Sequence, residues 1–158
     1  MRKSDIKTLM NKIVQEYSRL TENQKVMEGN KDIILPTITP ENILFHIVNI
    51  ILHPYREDET IKDNYWTNHS EHLSMLKISY ETQENFCCIS VASNNCDEQK
   101  KIWVFQRYLK NNNYDYGIFI KEYNWYLIKE DKIISELNFN NDVNISDFEK
   151  FICWDNKQ

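Results

Sequence analysis

A nearly continuous apolar run at residues 86–92 restricts the fold of this chain more than any other feature. A strand with this pattern is buried on both faces, so other structure must cover its sheet from above and from below. The pattern of residues 73–80 predicts a neighbouring strand, and the polar residues 83–85 predict the turn between the two. A hairpin inside a covered sheet is therefore the centre of the predicted fold.

Apolar residues at steps of three and four predict helices before and after this hairpin. The predicted helices are an N-terminal segment within residues 1–30, a helix that begins at Thr39-Pro40 and ends before Pro54, a helix that Asn94-Asn95 caps and residues 111–113 end, and a last helix that begins at a capping box of Ser146 and Glu149. Further strands are predicted at residues 116–120, 124–128 and 132–139, whereas the polar residues 55–70 predict a loop.

This order of elements predicts an α/β (α+β) fold, in which helices flank a mixed central sheet of about five strands and an N-terminal helical extension precedes it. A chain of 158 residues is long enough for one domain with one core. No linker separates two halves of the sequence, so we expect residues 1–158 to form a single domain.

The charge balance and the cysteines indicate the class of partner and the compartment. Proteins that wrap DNA or RNA normally present a basic surface, whereas this chain has a formal net charge of −5. The balance favours a protein partner, and a local basic strip would still allow nucleic acid. The four cysteines follow no secretion segment, and the longest apolar run, near residues 47–52, is too short to span a bilayer. We expect a cytoplasmic protein with free thiols and no membrane contact.

Three short segments carry a resemblance to a known family. They are Gln106-Arg107-Tyr108 on the third predicted helix, Tyr116-Gly117-Ile118 at the start of a strand, and residues 124–128 around Trp125. With the order of elements around them, they resemble the restriction-endonuclease-like core, the PD-(D/E)xK fold, and in particular the N-terminal domain of type I restriction enzyme motor subunits. The resemblance divides the chain into an N-terminal helical segment (1–30), a nuclease-like core (39–130) and a C-terminal strand and helix (131–158).

The resemblance also implies where catalytic residues would stand. Its metal-binding Asp falls near Leu73 or Ser74, and its Glu-x-Lys signature falls near Ser90-Val91-Ala92. Mg²⁺ needs converging carboxylates, and hydroxyl or methyl groups cannot replace them. The resemblance therefore implies a pseudo-nuclease, with no catalytic residues, no metal and no cofactor.

A shifted alignment is the alternative to this interpretation. It would recruit Glu71 or Glu84 together with Lys77. Glu84 then falls in the predicted turn, and no second acid faces it from a strand. An active nuclease is accordingly the less favoured hypothesis.

Two segments are binding candidates because of their polar or charged side chains. Gln106, Arg107 and Tyr108 belong to the motif of the family that the chain resembles, where the Gln supports the active site. Without the acids, Gln106 would cap a polar pocket, and its simpler interpretation is a surface residue. The acidic segment Glu57-Asp58-Glu59 is either a solvated loop or a surface that enters a basic groove, such as a nucleic-acid channel.

Aromatic side chains form the third candidate. Tyr123 and Trp125 share strand parity, as do Asn124 and Tyr126, so we expect one of the two pairs to face outwards. An exposed pair would be a contact patch for protein or for nucleic acid. Packing inside the sheet is the ordinary role of aromatic residues in strands.

Histidines and cysteines could in principle form a zinc site or a nucleophile. His69 and His72 would supply imidazole, and Cys87, Cys88 and Cys96 would supply thiolate. The spacing matches no standard finger, and adjacent cysteines on a strand point to opposite faces. Core packing is favoured for the thiols, with a Cys96–His nucleophile as a minor alternative.

These patterns predict a non-catalytic binding or inhibitory protein on a decayed nuclease-like fold. It would act in phage–bacterium conflict by blocking a protein partner, either a nuclease or a nucleoprotein complex. The alternatives are an immunity protein or antitoxin against a nuclease toxin, a nucleic-acid-binding accessory domain, and an active nuclease.

Overall fold

A computed structural model of the chain describes residues 3–29, 38–57, 61–68, 73–80, 83–92 and 96–152. The helices are α1 (Lys3–Gly29), α2 (Pro40–Asn42), a π-helix (Ile43–Val48), α3 (Asn49–Glu57), α4 (Glu98–Asn111) and α5 (Ile145–Ile152). The strands are β1 (Ile61–Asn68), β2 (Leu73–Tyr80), β3 (Gln83–Ala92), β4 (Tyr116–Lys121), β5 (Asn124–Lys129) and β6 (Lys132–Asn138).

The strands form one mixed sheet in which spatial order follows chain order, from β1 to β6. Neighbouring strands are antiparallel except for β3 and β4, which are parallel and are joined by a crossover through α4. A parallel pair cannot be joined by a tight turn, so the helix is required there. The predicted mixed sheet with flanking helices is confirmed, and the six strands within the described residues exceed the predicted number by about one.

The additional strand is β1, which lies where the sequence predicts a loop. That prediction is wrong, because β1 pairs with β2 from Ile61 opposite Tyr80 to Asn68 opposite Leu73. Lys, Asp, Asn and Thr interrupt its few apolar residues, so the segment lacks a clear alternation. An edge strand tolerates this composition because it pairs with one neighbour only.

The β2–β3 hairpin turns earlier than the sequence predicts. Residues 83–85 belong to β3, with Gln83 opposite Tyr80, so the predicted turn there is wrong. Backbone hydrogen bonding to β2 extends the strand beyond its apolar part, and polar side chains are tolerated at such a strand end.

Helix α3 continues through Pro54 to Glu57, whereas the sequence predicts an end before Pro54. A proline inside a helix costs about 3 kcal/mol, mostly through the lost hydrogen bond and a steric clash. The neighbouring Ile51 and Leu52 are fully buried. Burial stabilises by roughly 1.5–3 kcal/mol for each such side chain, which offsets the cost of the proline.

Two helix caps also differ from the sequence-based prediction. Asp97 caps α4, accepting the backbone N–H of Lys100 at 3.3 Å, while Asn94 and Asn95 lie outside the described residues. Asn144 caps α5, where its Oδ1 accepts the backbone N–H of Ser146 at 2.8 Å. A side-chain oxygen that precedes the helix satisfies its first free N–H groups, so α5 does not begin with a Ser146 capping box.

Two apolar clusters cover the two faces of the sheet. The larger cluster lies under α1, the π-helix, α3 and α5, and the smaller one lies under α4. The adjacent thiols of Cys87 and Cys88 are buried in different clusters, which confirms that they point to opposite faces. Among the described residues, no helix combines the length and the apolar character needed to cross a bilayer.

Candidate functional site

Helix α4 presents a basic and aromatic stripe on the side that faces away from the sheet. Its inner positions, Ile102, Phe105 and Leu109, are buried against the sheet. The opposite positions repeat at steps of three and four, as one helix face requires. They are all exposed, and we call them the α4 outer surface: Lys100, Trp103, Arg107 and Lys110.

Trp103 and Arg107 form the centre of the α4 outer surface. Trp103 is 57% exposed, which is unusual for the largest apolar side chain. The guanidinium carbon of Arg107 lies 5.0 Å from the centroid of the Trp103 ring, one helical turn away. This cation–π contact holds both side chains in place without burying either of them. Trp103 is absent from the residues predicted above, although its place opposite the apolar stripe of α4 could have indicated it.

The three residues of the Gln106-Arg107-Tyr108 motif point in different directions. Gln106 donates its side-chain amide to the backbone oxygen of Asp131, at 3.2 Å, which ties α4 to the β5–β6 turn. Arg107 lies over Trp103. Tyr108 packs beside Tyr114, with ring centroids 5.8 Å apart, and burial raises the pKa of its hydroxyl. Of the three, only Arg107 is exposed.

A cleft of about 720 Å³ opens where the C-terminal end of α4 meets the β5–β6 turn. Gln106 and Lys110 line it from the helix, and Lys129, Glu130 and Asp131 line it from the turn. The charges there are of both signs, so the cleft favours neither anions nor cations. Gln106 lines this cleft, and its predicted role in a polar pocket stays a prediction.

Tyr123 and Trp125 do not form a contact patch, so that prediction is wrong. Trp125 is fully buried, and its indole nitrogen donates to the hydroxyl of Tyr17 at 2.8 Å. Tyr123 is half-buried, and its hydroxyl shares a hydrogen bond with Thr21. Both contacts come from α1, which covers this face of the sheet.

The alternative pair on β5 is not an open patch either. Tyr126 is half-buried and donates its hydroxyl to Glu98 Oε1 at 2.9 Å. Burial first, and then the hydrogen bond and charge of Glu98, raise the pKa of Tyr126 to about 12. Asn124 accepts a hydrogen bond from Asn138 at 3.0 Å. Helices cover both faces of β5, so neither of its two aromatic positions faces outwards. Strand parity alone does not indicate this cover.

The acidic candidate segment is only partly described. Glu57 is the last residue of α3, whereas Asp58 and Glu59 lie outside the described residues. The predicted acidic contact surface therefore stays a prediction.

The two catalytic positions that the resemblance implies are adjacent in the sheet. The β2–β3 register places Leu73 opposite Ala92 and Ser74 opposite Val91. Ser90, one residue before Val91, is completely buried, and its hydroxyl has no hydrogen-bond partner among the residues that the structure describes. A buried hydroxyl of this kind cannot coordinate a hydrated magnesium ion.

The alternative residues from the shifted alignment are dispersed. Lys77 lies opposite Cys88, and Glu71 lies outside the described residues. Glu84 lies in β3 rather than in a turn, six positions before Ser90, which corresponds to roughly 20 Å along a strand. Glu84 and the Ser90 position therefore cannot hold the same metal ion.

Two of the three thiols predicted as alternatives for a zinc site have the environment of core residues, whereas Cys96, the candidate nucleophile, is half-buried. Cys87 and Cys88 are fully buried, and burial raises the pKa of the Cys87 thiol. His69 and His72 lie outside the described residues. Within the described part of the chain, no three His, Cys, Asp or Glu side chains converge as a metal site would require.

Comparison with known proteins shows a similarity of fold to a solved structure. No protein-family model matches the sequence, and no curated protein matches it. A solved structure that resembles the chain is the cryo-EM structure of a DrdV–DNA complex, with a TM-score of 0.53 and 7% sequence identity. The match covers 89% of this chain and 13% of the DrdV-complex chain, so this protein corresponds to a small part of that chain. The fold of this protein is therefore similar to one portion of a protein that was solved bound to DNA.

Proposed function

We propose that this protein is a non-catalytic nucleic-acid-binding domain on a degenerate restriction-endonuclease-like fold, and that the α4 outer surface is its contact surface. The observation that carries the proposal is the exposed stack of Arg107 on Trp103 between Lys100 and Lys110. The fold likeness to part of a DrdV–DNA complex supports the same class of ligand.

The α4 outer surface has the chemistry that single-stranded nucleic acid requires. The free face of the Trp103 ring can stack on a base, and Arg107 supplies a planar cation beside it. Lys100 and Lys110 lie about 15 Å apart along the helix, so they can contact phosphates on either side of the stacked base. Such contacts tolerate any base, and the binding should depend little on sequence.

The negative charge of the whole chain does not oppose this proposal. Charges separated by more than about 10 Å are largely screened at ordinary salt, so the local field decides the attraction. On the outward face of α4, Lys100 lies two turns before Arg107, and Lys110 lies one turn after it. The two acids at the start of the helix are both engaged: Asp97 accepts the backbone N–H of Lys100, and Glu98 accepts a hydrogen bond from Tyr126 on the sheet side.

The non-catalytic part of the proposal is supported by the centre of the sheet. Magnesium-dependent cleavage needs carboxylates and a lysine around one point. The strand that would carry them has buried Ser90, Val91 and Ala92 in their place. This composition of the described part of β3 supports binding of nucleic acid without its hydrolysis.

Binding is tested with fluorescent single-stranded and double-stranded oligonucleotides of mixed sequence at low salt, followed by anisotropy. Base stacking on an aromatic side chain contributes roughly 1–3 kcal/mol, so Trp103→Ala should weaken single-strand binding by roughly 5- to 150-fold. Lys150→Ala, which removes an exposed lysine on α5, is the matched control and should leave binding unchanged. Absence of any binding by the unmodified protein at low salt contradicts the proposal.

Cleavage is tested separately, with the same oligonucleotides and Mg²⁺ or Mn²⁺. We expect no cleavage product above a buffer control. Robust metal-dependent cleavage that persists through repeated purification would overturn the non-catalytic part and leave the binding part intact.

A second candidate function is inhibition of a protein partner. It is supported by the net charge of −5, which suits a basic groove such as the channel of a nuclease. We propose it for phage–bacterium conflict, with an immunity protein or antitoxin as the form in which the partner is a toxin. Capture of a nuclease from the native host, together with loss of that nuclease's activity on addition of the pure protein, would favour inhibition. Unaltered nuclease activity would exclude it.

A further inference from the structure

The cleft at the C-terminal end of α4 combines an apolar lining with an aromatic ring. Leu109 and Ile128 contribute apolar surface, and both side chains are almost completely buried. The half-buried ring of Tyr114 also lines the cleft, and it packs beside Tyr108 with 5.8 Å between the ring centroids. A volume of about 720 Å³ lies in the range of pockets that bind small molecules. This lining suits the face of a flat ring.

The charged groups of the cleft accept more hydrogen bonds than they donate. Its lining includes three carboxylates, those of Asp115, Glu130 and Asp131. Two ammonium groups, those of Lys110 and Lys129, supply donors. Helix α4 ends here, and the C-terminal end of a helix adds a partial negative charge. A phosphate group therefore gains little in the cleft, whereas a neutral ring with several N–H donors is favoured.

The turn that carries two of the carboxylates has an unusual sequence for its backbone. Glu130 and Asp131 both have left-handed backbone angles, with φ of 52° and 65°. A two-residue hairpin turn of this kind usually contains asparagine or aspartate followed by glycine. The amide of Gln106 donates to the backbone oxygen of Asp131 at 3.2 Å and so fixes the turn against α4. The backbone that carries the two carboxylates is thus held beside the cleft.

We propose that this cleft binds a guanine base of the single strand that contacts the α4 outer surface, an inference that rests on the proposed function. Guanine presents a ring N–H and an amino group side by side, next to the carbonyl oxygen O6. A carboxylate of the β5–β6 turn accepts the two N–H donors, and Lys129 donates to O6. Adenine and cytosine each have an amino group without a ring N–H beside it, and thymine has one N–H and no amino group.

Lys110 connects the cleft to the α4 outer surface, because it lines the first and belongs to the second. It lies two helical turns after Trp103, which corresponds to about 10 Å along the helix axis. A strand that stacks one base on Trp103 therefore reaches the cleft within a few nucleotides, with Lys110 beside a phosphate between them. The α4 outer surface accepts any base, and the cleft adds a preference for guanine at one position of the strand.

The preference is tested with thymine oligonucleotides that carry one guanine, one hypoxanthine, one adenine or no replacement at the centre. Fluorescence anisotropy measures their affinities at low salt. The strand with guanine should bind roughly 5-fold or more tightly than the strand of thymine alone. Hypoxanthine lacks the amino group of guanine, so it should lose most of this gain, and adenine should lose all of it. Equal affinities for the four strands would overturn the inference and leave the proposed function intact.

The double variant Glu130→Gln/Asp131→Asn tests the carboxylates. Asparagine adopts left-handed backbone angles readily, so the turn should keep its form, which circular dichroism and thermal unfolding verify. The ratio of guanine to thymine affinity should fall by roughly 5-fold or more, because no carboxylate of the turn remains to accept both donors. Asp142→Asn, which changes an exposed acid outside the lining of the cleft, is the matched control. A ratio that the folded double variant keeps would overturn the inference.

Free guanosine distinguishes failure of this inference from failure of the proposed function, because it carries no phosphate. Backbone amide signals of ¹⁵N-labelled protein are followed by NMR during titration with guanosine, and with adenosine as the control. We expect guanosine to shift the signals of Asn113, Glu130 and Asp131, and to shift them less in the double variant. Such shifts in a protein that binds no oligonucleotide would support the cleft and contradict the proposed function. Absence of these shifts together with equal affinities for the four strands would overturn the cleft alone.

Discussion

Trp125 on β5 donates its indole N–H to the hydroxyl of Tyr17 on α1, at 2.8 Å and across 108 residues of sequence. The same hydroxyl donates to the backbone oxygen of Glu122 at 2.5 Å. Both aromatic side chains are buried, and burial raises the pKa of Tyr17 well above its usual range. One oxygen atom thus joins the first helix to the β4–β5 hairpin.

Replacement of this hydroxyl should weaken the fold measurably. Tyr17→Phe keeps the ring but leaves the Trp125 N–H buried without an acceptor, which costs about 1–3 kcal/mol in the free energy of unfolding. Urea denaturation followed by tryptophan fluorescence measures the loss. Tyr123→Phe, which removes only the half-buried bond to Thr21, should cost less. Equal losses in the two variants would contradict the importance of the buried bond.

Gly117 should not tolerate a side chain, because α4 packs directly onto it. A Cβ atom at this position would lie 2.6 and 2.8 Å from the Cδ atoms of Leu109 and 2.8 Å from Phe105 Cε2. Gly117→Ala should therefore destabilise by about 1–3 kcal/mol through overpacking. In a double-mutant cycle with Leu109→Ala, the two losses should be less than additive, because the shortened side chain makes room. Strict additivity would show that the clash is relieved elsewhere.

Ser90 should be replaceable by alanine without loss of stability. Its buried hydroxyl has no hydrogen-bond partner within the described residues, so removing it deletes a desolvation cost of about 1–3 kcal/mol. We expect the free energy of unfolding of Ser90→Ala to be unchanged or higher. Ser146→Ala, which removes an exposed hydroxyl bonded to Asn144, is a control with a small loss expected. A large loss for Ser90→Ala would reveal a partner for the hydroxyl.

The stability of the fold should decline in alkaline solution. The pKa of Tyr126 in the fold is about 12, above the ordinary value of about 10, so the folded state favours the neutral phenol. Its stabilising contribution is complete below about pH 10 and is lost as pH rises through about pH 12. Urea unfolding at a series of pH values should show a smaller alkaline decline for Tyr126→Phe than for the unmodified protein. An identical decline would mean that other tyrosines account for it.

Removal of each lysine from the α4 outer surface should reduce the salt dependence of nucleic-acid binding. Each phosphate contact contributes about 0.7 to the slope of log affinity against log salt for a single strand. Lys100→Ala and Lys110→Ala should each lower the slope by about this amount, and the double variant by about twice as much. Anisotropy titrations at several salt concentrations measure the slope, and an unchanged slope would place the phosphates elsewhere.

The sequence predicts the parts of this fold in which burial produces a clear period. The apolar run of β3 and the stripe of α4 are examples, because their side chains pack against layers that the sequence also reveals. Strand β1 was missed because an edge strand can be polar. Strand parity is equally compatible with a surface position and a core position for Trp125, since parity alone does not show how many faces of the sheet are covered. Trp125 is buried because helices cover both faces of β5. The residues of β5 themselves carry no sequence pattern that indicates this cover.

The residues of the candidate site also divide into those that the sequence indicates and those that it does not. Arg107 was found through its motif, whereas Trp103 became visible only once its exposure and its contact with Arg107 were known. An aromatic residue on a helix looks like a core residue until the direction of its side chain is fixed. Tyr123 was predicted in an exposed patch, whereas its hydroxyl is hydrogen-bonded to Thr21, on a helix about 100 residues earlier in the chain.

The link between α1 and the β4–β5 hairpin has a consequence for synthesis on the ribosome. Helix α1 is synthesised before this hairpin, and the chain must grow by a further 105 residues before Glu122 follows Tyr17. At roughly 5–20 residues per second, the Tyr17 hydroxyl waits for about 5–20 s before its partner at Glu122 has been synthesised. A nascent chain interrupted before β4 would therefore lack the hydrogen bonds of the Tyr17 hydroxyl to Glu122 and Trp125, and rare codons upstream of β4 would delay their formation.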